Sequence, residues 1–246
     1  MQALTAGDRM RYARQMIIAG WGEAGQQRLK GSRVFVAGAG GLGSPVSIYL
    51  AIAGVGELHI CDADTIELSN LNRQILHTEQ RIGESKAASA ARTLGEQNPS
   101  IHVVPHTDYL NADNIKAVVG QPDIVVDCLD NYETRYLLND YCLNQGIPLV
   151  HGAVEGLLGQ VTVLHPPETP CLRCLFPEAP PKRLFPVVGV TPGVIGCIQA
   201  METLKYLTGV GRTLSGKLLI FDGEDMTFTP IKVRRQPACP QCGHLG

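Results

Sequence analysis

The sequence predicts an α/β protein: a mostly parallel sheet with helices on both faces, extended by antiparallel strands in its C-terminal part. Three observations carry that expectation. Residues 34–37 are a short apolar run that enters a glycine-rich turn, then a helical pattern, then a second apolar run. Strand-like and helix-like periods alternate from there to about residue 150, the pattern of a parallel sheet covered on both sides. After about residue 155 strands follow one another across glycine-rich and charged turns, which favours antiparallel pairing.

Taken in order, residues 8–30 read as helical, with Trp21 near a glycine-rich break. Residues 44–53 have helix spacing, and Pro45 suits a first helical turn. Residues 58–61 form the next strand, which ends on Asp62. Residues 85–94 read as a helix closed near Gly95 and Pro99, 101–105 as a strand and 111–119 as a helix. Residues 124–128 are a buried strand leading to Asp130, 134–144 a helix, and 148–150 the start of another strand. In the second half, 160–164, 217–222 and 228–233 are strands, and 194–207 a long helix ended by Gly209. Residues 166–192 are rich in proline and poor in pattern, a loop of the length that is often functional. The chain reads as a single domain, 1–246, with a mostly parallel half to residue 155 and an antiparallel half from 156.

Composition excludes several classes. The 246 residues suffice for a sizeable core, and 44% hydrophobic with 18% charged residues is ordinary for a soluble globular chain. A formal charge of -2 gives no basic surplus for nucleic acid. The first residues lack the apolar core of a signal peptide, and no apolar stretch is long enough to span a membrane. The expected compartment is the cytoplasm, where the eight cysteines are not a disulfide framework.

The motifs sharpen this. GAGGLG (38–43) places G-x-G-x-x-G at Gly38, Gly40 and Gly43, where glycine lets backbone approach phosphate at a helix N-terminus. Asp62 follows about 20 residues on, at the strand end where such Rossmann-like folds bind ribose. This pattern says nucleotide and does not separate NAD from ATP; the P-loop pattern is absent from this turn. In DADTIELSNLNRQ (62–74), Asp64, Asn70, Arg73 and Gln74 crowd a polar loop, and an arginine fork suits phosphate oxygens better than hydride transfer. Lys86 opens a helix, which is ordinary for a surface lysine. Asp130, in DCLDN (127–131), stands past a buried strand, where a carboxylate can hold Mg²⁺ or where Asp130 or Asn131 can cap a helix. Cys171-x-x-Cys174 and Cys239-x-x-Cys242 offer four thiolates in the paired spacing of a structural zinc site, and His244 is not needed to close it. Cys61, Cys128, Cys142 and Cys197 read as buried packing residues.

Together these motifs resemble the MoeB/ThiF/HesA family, relatives of the ubiquitin-activating enzymes. The likeness runs through RYARQ (11–15), GAGGLG, AGVG (53–56), Asp62 and Asp64, SNLNRQ (69–74), Lys86, DCLDN, both cysteine pairs, PGVIG (192–196) and QAMETLK (199–205). The resemblance implies an adenylyltransferase. It would use MgATP to activate the C-terminal Gly-Gly carboxylate of a ubiquitin-fold sulfur-carrier protein. It implies Gly41 and Asp62 on ATP, with Asp62 on the ribose; Asn70, Arg73 and Lys86 on the phosphates; and Asp130 on Mg²⁺. Gly40, Asp64, Gln74 and Asn131 are the further expected ATP-site residues. Arg14 matches an N-terminal arginine that reaches the partner subunit's active site, so a homodimer is implied. Residues 175–192 and the second-half strands would line the channel for the carrier's tail.

One departure from the family matters. Many relatives carry a cysteine between the first cysteine pair and PGVIG, and this chain has none there. The expectation is that the chain stops at the acyl-adenylate, with sulfur arriving from a separate donor protein. An NAD-dependent oxidoreductase, a non-catalytic adaptor for a ubiquitin-fold protein, and a relative acting on short peptides are the competing readings.

Overall fold

The computed structural model describes residues 2–181 and 185–245. Its framework is an eight-stranded sheet in the order β3-β2-β1-β4-β5-β6-β7-β8. The strands are β1 (Arg33–Ala37), β2 (Glu57–Cys61), β3 (His102–His106), β4 (Ile124–Asp127), β5 (Leu149–Glu155), β6 (Leu158–Leu164), β7 (Lys217–Asp222) and β8 (Thr227–Lys232). Pairs from β3 through β5 are parallel. Those from β5 to β8 are antiparallel, so the sheet continues unbroken into the second half.

The helices are α1 (Ala6–Arg11), α2 (Ala13–Met16), α3 (Gly22–Gly31), α4 (Gly43–Ala53), α5 (Lys86–Gln97), α6 (Ile115–Val119), α7 (Tyr132–Gln145), α8 (Leu172–Leu175) and α9 (Val190–Thr208). β1 shows why both sheet faces are covered. Its side chains alternate, and all but the first are buried. Val34 and Val36 pack with Leu50 of α4, Leu94 of α5 and Ile195 of α9. Phe35 and Ala37 pack on the other face with Val119 of α6 and Leu138 of α7.

Several elements differ from the expected ones for local reasons. The helix over 8–30 is three helices, with a first break at Tyr12 and a second where Gly20 and Gly22 take positive φ. The Asn111 side chain accepts from the N–H groups of Asp113 and Asn114, a turn that delays α6 to Ile115. α5 runs past Gly95 to Gln97. α9 starts at Val190, before Val194; its Pro192 lies in the first turn, where a missing N–H costs nothing. Residues 166–192 are not wholly loop, because α8 forms within them. Cys61, Cys128 and Cys142 are buried as expected, but Cys197 is exposed on α9, so the packing assignment fails there. Its helix face turns away from the sheet, a matter of orientation rather than composition.

The AGVG glycines are needed for close approach. A Cβ at Gly54 would meet the Tyr12 ring at 2.5 Å and Gln26 at 2.7 Å. Gln15 and Gln26 both donate to the Ala53 carbonyl, and Asn98 joins Tyr12 to the Ala51 carbonyl. RYARQ and AGVG therefore form one joint that anchors the N-terminal segment to the C-terminal end of α4.

Candidate active site

β1 neighbours both β2 and β4, while the chain runs outward through β2 and β3 before returning to β4. The sheet order reverses between β1 and β4, the place where open α/β sheets bind ligands. The loop after β1 is GAGGLG and the loop after β4 is CLDN, so the switch point has glycine backbone on one side and Asp130 on the other.

Each glycine has its own reason. Gly38 takes φ +103°, and a Cβ on it would stand 2.6 Å from the Cys128 carbonyl oxygen, so it joins the two loops. A Cβ on Gly43 would collide with the Gly38 carbonyl. Gly41 lies under Pro192 of α9 and against Arg73. Gly40 faces the Gln74 amide. The N–H groups of Gly40 and Gly41 have no acceptor among the described residues, at a helix N-terminus that favours an anion.

Asp62 accepts from the Ala39 N–H at 2.8 Å and from the Asp64 N–H at 3.0 Å. Burial raises its pKa, and the Ala39 hydrogen bond and the nearby Lys86 charge only partly offset that. Lys86 begins α5 after the Ser85 cap and is almost fully buried. Its ammonium rests 2.9 Å from Asp64, whose other oxygen accepts from Tyr109 at 3.3 Å. The surface alternative for Lys86 thus gives way to a buried ammonium paired with the exposed carboxylate of Asp64 at the strand ends.

Asn70 forms a reciprocal cap with Glu67, and its carbonyl receives the N–H groups of Arg73 and Gln74. Arg73 Nη1 donates to the Ser69 carbonyl and to Asn72. Gln74 is buried, and its Oε1 lacks a partner within the protein. Such an orphaned acceptor, on an amide whose nitrogen faces Gly40, fits a site completed by a ligand. Asp130 is exposed and has no partner among the described residues, so its oxygens are available to a cation. Asn131 takes the capping role, accepting from the Thr134 N–H at 2.9 Å at the start of α7.

Two predicted groups stand elsewhere. Arg14 is exposed on α2, beside Gln15, which is bonded to Ala53 at the far end of α4. That helix is about 16 Å long at 1.5 Å per residue, so Arg14 is not brought to its own glycine loop. The four cysteines form a separate centre. Cys171, Cys174, Cys239 and Cys242 are buried, with ligand sulfurs all within 4.8 Å of one another. Gly243 makes the tight turn there, and Arg235 and Gln236 hold its backbone and Cys174. Burial raises the Cys171 and Cys242 thiols, whereas for Cys239 the N–H groups of Cys242 and Gln241 outweigh burial and lower it. Four soft sulfurs without oxygen or nitrogen among them fit a metal held for structure.

Sequence reasoning missed three residues that contact the loops at the strand ends. Tyr109 could have been noticed from its place just after a strand. Arg135, which donates to the Leu129 and Gly152 carbonyls, and His77, bonded to Ala39, gave no sequence signal.

Fold and site define an α/β protein built like the nucleotide-binding sheets, with a four-cysteine centre in its C-terminal part. The chain belongs to the ThiF family, whose profile matches residues 12–241. It is 49% identical over 242 residues to the SAMP-activating enzyme E1 of Haloferax volcanii, covering 96% of this chain and 89% of that protein. It is 45% identical over 244 residues to the sulfur carrier protein adenylyltransferase of Thermus thermophilus, covering 95% and 90%. Against the adenylyltransferase and sulfurtransferase MOCS3-1 of Zea mays identity is 47%; the match covers 95% of this chain but only 51% of that relative. Among solved structures, E. coli MccB with ATP superposes with a TM-score of 0.86 at 25% identity, covering 95% of this chain and 73% of that one.

Proposed function

We infer that this chain is an adenylyltransferase that uses MgATP to activate the C-terminal carboxylate of a ubiquitin-fold sulfur-carrier protein. The supporting relatives are named a SAMP-activating enzyme E1 and a sulfur carrier protein adenylyltransferase, and they align over nearly the whole chain. The observation in the structure that carries it is the placement of buried Lys86, Arg73 and partnerless Asp130 around a glycine loop with two free N–H groups. A nicotinamide enzyme has no use for that collection of charges.

The reaction joins two anions. A carboxylate oxygen of the carrier attacks the α-phosphorus of ATP, the bond to the bridging oxygen breaks, and pyrophosphate leaves with the electron pair. The carboxylate is already ionised at neutral pH, so no base is required. Gly40 and Gly41 N–H groups, Asn70, Arg73, Gln74 and Lys86 would hold the phosphates, and Asp62 and Asp64 the ribose side. One well-placed donor of this kind is worth about 3–4 kcal/mol in the transition state. Lys86 must exchange Asp64 for phosphate, which an ion pair open to solvent on the Asp64 side permits. Asp130, with Asn131 fixing its helix, would hold Mg²⁺, which neutralises charge on the phosphates.

Cys171, Cys174, Cys239 and Cys242 would hold Zn²⁺, joining α8 to the C-terminal turn and leaving no position open for chemistry. Residues 1–155 bind the nucleotide, and 156–246 receive the carrier across the apolar, exposed Leu158, Phe228 and Ile231. The proposed channel wall over 175–192 includes residues 182–184, which lie outside the described residues. A homodimer is supported by exposed Tyr49, Ile52 and Met201 on the adjacent α4 and α9, beside exposed Ile17 and Ile18. It would deliver Arg14 to the partner's phosphates. Among the described residues no helix is long and apolar enough to cross a membrane, and all eight cysteines are free. We place the protein in the cytoplasm, with a separate sulfur donor following it.

The test is ATP–pyrophosphate exchange, with intact-mass detection of an adenylated carrier ending in Gly-Gly. Exchange that depends on the carrier supports the reading. Binding without acyl-adenylate would support an adaptor, and nicotinamide reduction an oxidoreductase.

A further inference from the structure

His77 is buried and takes no part in the chemistry above. Its Nε2 stands 3.0 Å from the Ala39 carbonyl oxygen and its Nδ1 3.1 Å from the Ser89 hydroxyl. A carbonyl only accepts, so Nε2 carries the proton and Nδ1 accepts from Ser89. The Ser89 oxygen accepts in turn from Arg81 at 3.3 Å. Donation thus runs from Arg81 through Ser89 and His77 to Ala39, each bond polarising the next. Burial lowers the imidazole's proton affinity; the Ala39 bond opposes this, and the Lys86 and Arg81 charges reinforce it, so the ring stays neutral.

The three contacts of His77 lie on three different elements of the site. Ala39 is inside the glycine loop. The His77 N–H donates to the Gln74 carbonyl, closing the turn that directly follows Arg73. Ser89 is on α5, one turn beyond Lys86. Ala39 is held from both sides: its N–H by Asp62 and its carbonyl by His77. Without the imidazole donor, a buried carbonyl would lack a partner. Rotation of the Ala39–Gly40 peptide would relieve that, and would swing the Gly40 N–H away from the switch point.

We propose that His77 is a positioning residue for the phosphates of the nucleotide. By holding the Ala39 carbonyl it keeps the Gly40 and Gly41 N–H groups free, and it fixes the glycine loop relative to Arg73 and Lys86. This rests on the reading that ATP is the substrate.

The experiment measures binding of the Mg²⁺ complex of α,β-methylene-ATP by calorimetry, without carrier, to wild type, His77→Phe and His77→Gln. Phenylalanine fills the space without a donor; glutamine can donate to Ala39. His77→Phe should weaken binding by about tenfold, the loss of one hydrogen bond's worth of positioning. His77→Gln should stay within about threefold of wild type. Wild-type binding by His77→Phe overturns the proposal, as does an equal loss in both variants, which would mark a packing role. Wild-type protein that fails to bind the analogue overturns the ATP reading and this proposal together. If His77→Phe does not fold, ring ¹⁵N spectra of wild type decide: a proton on Nε2, with a shift on analogue addition, supports the proposal. A proton on Nδ1, or no shift, overturns it.

Discussion

Lys86 and Asp130 keep their charges in opposite ways. Lys86 is nearly sealed from solvent, so it needs Asp64 as a counter-charge. Asp130 is exposed and has no side-chain partner among the described residues. Its removal should therefore leave the fold untouched, within about 0.5 kcal/mol as for other exposed positions. Asp130→Ala is expected to lower pyrophosphate exchange by about a hundredfold or more with zinc content and thermal midpoint unchanged, and a wild-type rate would refute its metal role. Arg73→Ala should cost at least about tenfold, since its fork is already aimed by Ser69 and Asn72. Asp62 illustrates a different balance: a carboxylate kept in a costly buried position because its two hydrogen bonds shape the loop.

At the scale of elements, β4 and β5 are joined by a buried ionic group. Asp127 accepts from His151 at 2.6 Å and from the Leu129 N–H at 3.0 Å, with Arg135 at 3.4 Å. Burial alone would raise the carboxyl pKa, but the Arg135 charge and the His151 bond outweigh it and hold it below the ordinary value. A depressed carboxylate contributes its stability fully above the unfolded pKa of about 3.9 and loses it as pH falls through the folded value. His151, buried and neutral with a lowered pKa, also loses stability as pH falls, but from about 6.5 downward. Asp127→Asn should therefore lower the free energy of unfolding at pH 7 by about 3–5 kcal/mol, the cost of a broken buried pair. Its deficit against wild type should shrink below about pH 4. A deficit that is the same at every pH would refute this account. The cysteine pairs join two other elements, α8 and the C-terminal turn. Metal analysis should find about one zinc per chain. Chelation should increase hydrogen exchange at residues 166–176 and 234–245 ahead of the parallel strands. A zinc-free protein with the same midpoint would overturn the four-cysteine assignment.

For the whole molecule, the proposed dimer would add a partner's Arg14 to the charges that one chain holds. Arg14 sits at the end of α4 away from the glycine loop, while an apolar surface lies exposed on α4 and α9. If the partner supplies Arg14, Arg14→Ala and Asp130→Ala proteins should each be inactive alone. Mixed, they should regain about a quarter of the wild-type rate, from one intact site in the half of the dimers that are mixed. No recovery on mixing would refute a site completed by the partner.

The features that were legible in the sequence are local. Glycine spacing in 38–43 reports backbone demands within one turn, side-chain periods report α4, α7 and the buried β1 and β4, and the cysteine spacing reports ligand pairs three residues apart. Asp130 and Asn131 were ambiguous for the same reason, since capping and metal binding use the same local pattern. Tertiary structure decided what depends on strand order. It put β1 beside β4, so that Gly38 touches Cys128, and brought Cys171 within 3.7 Å of Cys239, 68 residues away. It also buried Lys86 against Asp64, turned Cys197 outward, left Arg14 far from its own loop, and set His77 on Ala39. Local pattern states which face of an element is apolar. Which faces and ends meet is settled only when the elements pack.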